Sequence, residues 1–277
     1  MLCAVICFTA MDAVAKGLIA KYPTPQVIWA RFAVMGGFVL LILQRQTRQM
    51  LVTSHPWLHL LRCIFQFATV FLFFASLKYI GLAEAQALTD INPVLITLGA
   101  AVFLGERLGA ARMAAVTTAM LGALIVVRPG FGVFSAAALL PLGAAVTYSA
   151  SALLTRKVGM NESPWTSMLY ASAFGTIFGG LALPFVWQPV AVSDLWLFIL
   201  LGALGTGAQL LLIRAFSLAE ASVVAPFSYV GLLTATFWGI VLYAEYPDRY
   251  TILGGLVIAC AGLYVWHSET TTKPLHD

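Results

Sequence analysis

Charge is scarce in this sequence: only 9% of its 277 residues are Asp, Glu, Lys or Arg, against the roughly 25% that a soluble surface uses. A water-facing globule is excluded. With 61% apolar positions, the chain reads as an integral membrane protein. Long polar stretches are lacking as well, so no soluble domain fits between the apolar runs. There is no Gly-rich phosphate loop, no Ser/His/Asp set and no histidine pair at ligand spacing within the runs, which argues against an enzyme and against an ATP-driven pump. No cofactor is expected, and any pumping must use an ion gradient or the substrate's own. The four cysteines, Cys3, Cys7, Cys63 and Cys260, have no metal-ligand spacing and read as small core residues. His55 and His59 stand four apart beside Pro56 without a third ligand nearby, so no metal site is expected. The net charge of +4 comes from single basic residues at the ends of apolar runs, which marks topology and gives no nucleic-acid partner.

What the chain has is ten apolar runs, roughly residues 1–19, 26–43, 57–77, 85–104, 110–127, 136–154, 166–185, 195–213, 222–243 and 251–266. Each approaches the roughly 20 residues that cross a hydrocarbon core. The first has no basic leader and no small-x-small cleavage site and carries Asp12 and Lys16, so it reads as a span and not as a signal peptide. Short connections make successive spans antiparallel neighbours. One side then collects Arg45, Arg48, Arg107, Arg112, Arg156 and Lys157, with Arg62, Arg214 and Lys273 close by. The other collects Lys21, Lys78, Arg128 and Arg249. The positive-inside rule therefore predicts cytoplasmic termini.

In the stretch Gly81 to Leu108, which holds the fourth run, Leu82-Ala83-Glu84-Ala85 recurs as Leu218-Ala219-Glu220-Ala221. Lys78 before the first copy matches Arg214 before the second, and Gly105-Glu106 after the first matches Ala244-Glu245 after the second. Four features in one order predict a duplication. Five spans per half is odd, so the halves enter the membrane from opposite sides. The expected fold is an all-α integral membrane protein of ten transmembrane helices arranged as two inverted five-helix repeats, residues 1–130 and 131–277, the second ending in a short cytoplasmic tail. Such proteins place a substrate site at the repeat interface near the midplane.

Four charged side chains fall inside spans of the first half: Asp12, Lys16, Arg31 and Asp90. Counting inward at about 1.5 Å per residue puts them in one layer. Asp12 and Lys16 are four apart, acid first, the better order for a helical ion pair. The set is either a mutually neutralised cluster that locks the half together or a gate for an ion or substrate. Asn92-Pro93 interrupts the same span as Asp90, and a proline kink there needs no functional reason of its own. The second half offers Tyr148, Tyr170, Gln209, Ser228, Tyr229 and Trp238, which would face Gln66 of the third span, and Trp29 also sits inward. The expected transport path is Trp29, Gln66, Asn92, Tyr148, Gln209, Tyr229 and Trp238, a lining of amide and amphipathic aromatic groups suited to an organic solute. Trp57, Trp165, Trp187, Trp196 and Trp266 lie at span ends and read as interfacial anchors. Small residues at Ala171, Gly175 and Gly179, and at Gly202, Gly205 and Gly207, predict close helix approach, for fixed packing or for sliding.

The central motif with Pro93 and Gly105-Glu106, the run Val127-Arg128-Pro129-Gly130 and the opening Met11-Asp12-Ala13 with Lys16 resemble the EamA-type members of the drug/metabolite transporter superfamily over nearly the whole chain. The similarity extends to the bacterial aromatic amino acid exporter subgroup. It implies a ten-helix carrier of the bacterial inner membrane, often an exporter of amino acids or related metabolites. The leading expectation is a monomer that exports amino acids, with aromatic or bulky ones preferred. Uptake of an S-adenosylmethionine-like metabolite, export of cationic drugs and a non-transporting membrane scaffold are the alternatives. The family pattern is broken where the position matching Pro93 holds Tyr229, with Pro226 three residues earlier.

Overall fold

The computed structural model describes residues 1–44, 47, 53, 55–104, 110–127, 136–158, 163–218, 227 and 229–272. In a solvent without water, backbone N–H and C=O groups must pair within the segment, and every regular element among the described residues is helical. We number the helices α1 Leu2–Ile19, α2 Thr24–Leu43, α3 Pro56–Ser76, α4 Leu82–Thr89, α5 Asn92–Leu104, α6 Ala110–Val127, α7 Leu139–Val158, α8 Pro164–Gly180, α9 Leu195–Leu218, α10 Val230–Tyr243 and α11 Arg249–Thr272. Pro25, Pro56 and Pro164 occupy the first turns of α2, α3 and α8, where the missing N–H is no loss. Ser163 caps α8 by accepting from Trp165 N at 3.3 Å.

Among the described residues, five stretches are long and apolar enough to cross a membrane: Leu2–Ile19, Thr24–Leu43, Pro56–Ser76, Ala136–Thr155 and Val192–Leu212. Val116–Val127, Val230–Tyr243 and Arg249–Tyr264 are shorter apolar helices. The expected fourth span is not one helix: α4 ends at Thr89 and α5 begins at Asn92. Pro93 has no N–H to return to the carbonyl of Thr89, which is the local reason the helix cannot run through.

The helices pack with α1 against α9, α2 against α8 and α9, α3 against α7 and α8, α6 against α11, and α10 against α1 and α4. Met11, Leu18, Ile28, Phe32 and Phe74 fill one core among α1, α2, α3 and α9. Leu88, Val94, Ala119 and Ile258 fill a second, where α4, α5, α6 and α11 meet. The small-residue faces are packed: Gly175 lies directly beneath the Phe32 ring and Gly202 beneath Val34. At the α6–α11 crossing a Cβ on Gly254 would stand 2.6 Å from the Gly122 carbonyl oxygen, so the backbones touch.

Two expectations need correction. Only Cys63 is buried among the four cysteines; Cys3 and Cys260 are exposed and Cys7 is partly so, because a thiol on a lipid-facing helix surface needs no core to hide in. Trp57, Trp187 and Trp196 are exposed as anchors should be, but Trp165 packs against the first core. Trp266 has its side chain outside the described residues.

Candidate functional site

The broken span sets the polar geometry of the interior. Asp90 caps α4, and its Oδ1 accepts from Gln86 Nε2 at 2.8 Å, one turn earlier on the same face. Its Oδ2 is buried without a partner, as is Asn92 Oδ1 at the start of α5. Ser149 of α7 donates to the Asn92 carbonyl at 3.4 Å. On α10, Gly231 packs against Gln86, and Tyr229 just before that helix lies within electrostatic range of Asp90. The Tyr229 hydroxyl is buried, unpartnered and seated on Gly262 of α11. Thr9 of α1 donates to Thr234 of α10 at 2.9 Å close by in sequence register.

The expected Asp12–Lys16 pair is absent, and the four charges do not form one cluster. Lys16 reaches past its own helix to Glu245 Oε1 at 2.6 Å and donates to the Ile80 carbonyl at 2.8 Å. A long lysine stem carries its ammonium toward the end of the span, where that carboxylate waits. Glu245 Oε2 also accepts from Leu82 N at 3.1 Å, so one carboxylate neutralises Lys16 and satisfies an orphan N–H at the positive end of α4. Tyr243 seals the same layer, its hydroxyl donating to the Ala13 carbonyl and its ring centroid 5.8 Å from the Lys16 ammonium. Outside lies a cleft of about 440 Å³ whose polar lining includes Lys16, Lys78, Glu84, Glu245 and Asp248.

One turn deeper, Asp12 is buried and has Arg31 of α2 as its electrostatic partner. Arg31 sits between Phe32 and Phe74, whose ring centroids are 5.5 and 5.4 Å from its guanidinium carbon, and alongside Gly205 of α9. Gln66 and Gln209 do meet, with Met35, Arg62 and Ser167, around a cavity of about 20 Å³, room for about one water. Arg62, expected beside a connector, is buried instead and donates to the Ser167 carbonyl at 2.8 Å; that bond to α8 is what lets a cation stay inside.

The remaining expected residues are dispersed. Trp29 meets Trp187 edge to face at 6.2 Å. Tyr148 is 42% exposed on α7 and is not part of the Gln66 cavity. Tyr170 stacks on His59 at 5.1 Å, so that histidine is a packed core residue, and no metal-holding group of His, Cys, Asp and Glu occurs among the described residues. Trp238 is half-buried with an unpartnered Nε1. Ser228 falls outside the described residues. Sequence reasoning missed Gln86, Arg62, Tyr243 and the task of Glu245; of these only Glu245 left a signal, as the repeated glutamate at the far end of the motif.

Buried polar atoms without partners are rare in folded chains and call for an explanation. Arg31 Nε, Asp90 Oδ2, Asn92 Oδ1, Tyr229 Oη and Trp238 Nε1 are five such atoms. The arrangement is a bundle with a polar, incompletely satisfied interior, closed at the Lys16 end by bonds between α1, α4 and the α10–α11 connection.

The chain is 32% identical over 272 residues to a riboflavin transporter of Rhizobium johnstonii, covering 97% of this chain and 90% of that one. It is 28% identical over 263 residues to the pseudopaline exporter CntI of Pseudomonas aeruginosa, covering 92% and 91%. An S-adenosylmethionine uptake transporter of Rickettsia bellii is 24% identical, with 94% and 90% covered. One solved crystal structure has the same fold, with a TM-score of 0.63 at 18% identity over 98% of this chain and 99% of that one. The EamA-like transporter family matches residues 1–128 and again 135–266. The chain therefore belongs to the EamA-like transporter family of the drug/metabolite transporter type, as a multi-pass membrane transporter and not an enzyme.

Proposed function

We propose that this protein is an inner-membrane carrier that moves a small organic solute by alternating access through ten spans built as two inverted repeats, residues 1–130 and 131–277. The observation that carries it is the set of unpartnered buried polar atoms at Arg31, Asp90, Asn92, Tyr229 and Trp238, which a transport path explains and a static scaffold does not. The packing supports the repeat. Exchanging α1, α2, α3, α4/α5 and α6 with α7, α8, α9, α10 and α11 turns the α1–α9 contact into α7–α3, α2–α9 into α8–α3 and α1–α10 into α7–α4/α5, and all of these contacts exist. The Lys16–Glu245 layer then acts as the gate on the side away from the termini.

The sequence pointed to export of aromatic or bulky amino acids. The relatives named for riboflavin and S-adenosylmethionine favour a metabolite with a nitrogen-rich ring, which stacks on aromatic side chains and hydrogen-bonds at its rim. We therefore place such a metabolite first and amino acid export second. The test is counterflow in proteoliposomes with labelled riboflavin, S-adenosylmethionine and phenylalanine. Exchange of a ring-bearing metabolite is expected; exchange of phenylalanine alone would return the reading to amino acid export, and exchange of none, with single cysteines at Gln66 and Tyr229 unreactive from both sides, would leave a scaffold.

A further inference from the structure

Among the described residues, Asp90 is an intramembrane carboxylate with neither an ion pair nor a basic electrostatic partner. Asp12 has Arg31 and Glu245 has Lys16. The ion pairs Lys16–Glu245 and Lys21–Asp194 lie elsewhere, and neither includes Asp90. A lone charge at this depth costs roughly 2.5 kcal/mol or more, so something positive has to share the site whenever Asp90 is ionised.

The groups around it restrict what that can be. Gln86 Nε2 holds Asp90 Oδ1 and leaves Oδ2 free. Two residues on, Asn92 offers Oδ1, also free. Pro93 denies the Thr89 carbonyl its usual donor four residues later. All of these are oxygen acceptors at one helix interruption. Broken membrane helices use unwound carbonyls and side-chain oxygens in this way to coordinate an alkali cation. A proton on Oδ2 would answer one acceptor at most besides Asp90 itself, whereas a cation can answer Asp90 Oδ2, Asn92 Oδ1 and the Thr89 carbonyl together. A substrate ammonium would need room, whereas Asp90 Oδ2 and Asn92 Oδ1 are both closed to water, and an ion that has shed its hydration shell needs less space than a solute headgroup. One carboxylate suits a single positive charge, since hard divalent cations gather more charged oxygens than this.

We propose that the α4–α5 break is a sodium site in which Asp90 Oδ2 and Asn92 Oδ1, with the Thr89 carbonyl, hold one Na⁺. Gln86 positions the carboxylate. Tyr229, just before α10, and Ser149 of α7 flank the break from other helices, so a cation there would join α4 to α5 beside elements that alternating access moves relative to one another. As a driving ion it depends on the carrier reading above; as a binding site it does not, and its test needs no knowledge of the solute.

The test is equilibrium binding of radioactive sodium to the purified full chain in lipid nanodiscs, with choline holding ionic strength constant, beside thermal unfolding in the same buffers. Saturable sodium binding and a sodium-dependent rise in Tm are expected for the wild type. Asp90→Asn is expected to weaken binding about tenfold or more, the loss of one charge-assisted contact, while its Tm in choline stays within a few degrees of the wild type, which separates loss of the site from failure to fold. Asn92→Ala is expected to weaken binding by less. No saturable sodium in the wild type, unchanged binding in Asp90→Asn, or a Tm that follows pH and ignores sodium would each overturn the site, the last by assigning Asp90 to a proton. A sodium site present without counterflow of any solute would sink the carrier reading and leave this one standing.

Discussion

In residues 1–127 the fourth span is interrupted at Asp90–Ile91 and brings an unpaired carboxylate and a free amide oxygen into the interior. Its partner under the proposed repeat, ending in α10, brings a phenol and an indole, Tyr229 and Trp238, each with an unpartnered polar atom. Under that repeat the helices would pack in matching pairs, yet the interior chemistry of the two sets of helices differs. Packing that is reused needs only small residues at matching crossings, whereas charge in a membrane is expensive and is kept where a partner or a ligand answers it. The gate shows the same division of labour: Lys16 and the α4 N-terminus come from one half and Glu245 from the other.

The comparison breaks most severely at the crossing that the two halves share. In α6 and α11 a Cβ on Gly254 would stand 2.6 Å from the Gly122 carbonyl oxygen and 2.5 Å from Val126 Cγ2. Backbone cannot yield as a side chain can, so Gly254→Ala is expected to cost about 1–3 kcal/mol and to broaden the size-exclusion peak of the purified protein. Gly207→Ala, with no heavy atom within 4 Å of the added Cβ, should leave it sharp. Equal behaviour of the two variants would remove the crossing from the account.

Next comes the gate. The side chains of Lys16 and Glu245 are 11% and 32% exposed, so the pair is partly screened. In a double-mutant cycle, Lys16→Met, Glu245→Gln and the double variant should show a coupling of about 1 kcal/mol in thermal stability. Each single variant should also raise labelling of a cysteine at Gln86 from the Lys16 side. Coupling without a change in labelling would make the pair a brace and not a gate.

The legible part of this molecule was its family and its all-helical, apolar build. Apolar runs, the fourth-span interruption at Asn92-Pro93 and the small faces at Gly175 and Gly202 are local properties of the chain, and they appear where the sequence puts them. The charge pairing was not legible. Asp12 and Lys16 have ideal spacing for one another, yet Lys16 is drawn to Glu245, 229 positions away, and Asp12 to Arg31. Spacing on one helix reports which side chains can meet; the low dielectric rewards whichever pair the tertiary packing brings closest. The burial of Arg62 was not legible for a related reason, since its guanidinium bonds to the Ser167 carbonyl on another helix.

A smaller effect lies outside the membrane layer, where Asp194 before α9 accepts from Lys21 Nζ at 3.1 Å and from Tyr22 Oη at 2.9 Å. The Lys21 hydrogen bond, followed by that from Tyr22, holds the Asp194 carboxyl below the usual carboxylate range. A depressed acid stabilises the folded state above its unfolded pKa and loses that contribution as pH falls through its folded value. Asp194→Asn should therefore lower Tm near neutral pH, with the difference from wild type shrinking as the medium becomes more acid than the ordinary carboxylate range. A gap that is constant down to strong acid would mean that shape, not charge, fastens the α1–α2 turn to α9.

The smallest effect compares one residue between the two copies of the repeated motif. Ala244 closes α10 in the left-handed region, at φ 52° and ψ 31°, and the copy in the first half carries Gly105 at the matching position. For an L-residue this backbone costs roughly 1–2 kcal/mol because Cβ crowds the following carbonyl, while glycine adopts it freely at the price of more entropy in the unfolded chain. The two terms oppose one another, and at a site of positive φ the steric one is the larger. Ala244→Gly should accordingly raise stability by about 0.5–1 kcal/mol, seen as an upward shift of about 2 °C in Tm, without disturbing the neighbouring Glu245. The strain also bears on the gate, since Ala244 N donates to the Ile240 carbonyl and Glu245 N to the Gly239 carbonyl, fixing where the carboxylate points. If Ala244→Gly lowers Tm instead, the methyl group is worth more as packing than it costs as strain, and the match between Gly105 and Ala244 would carry no conformational meaning.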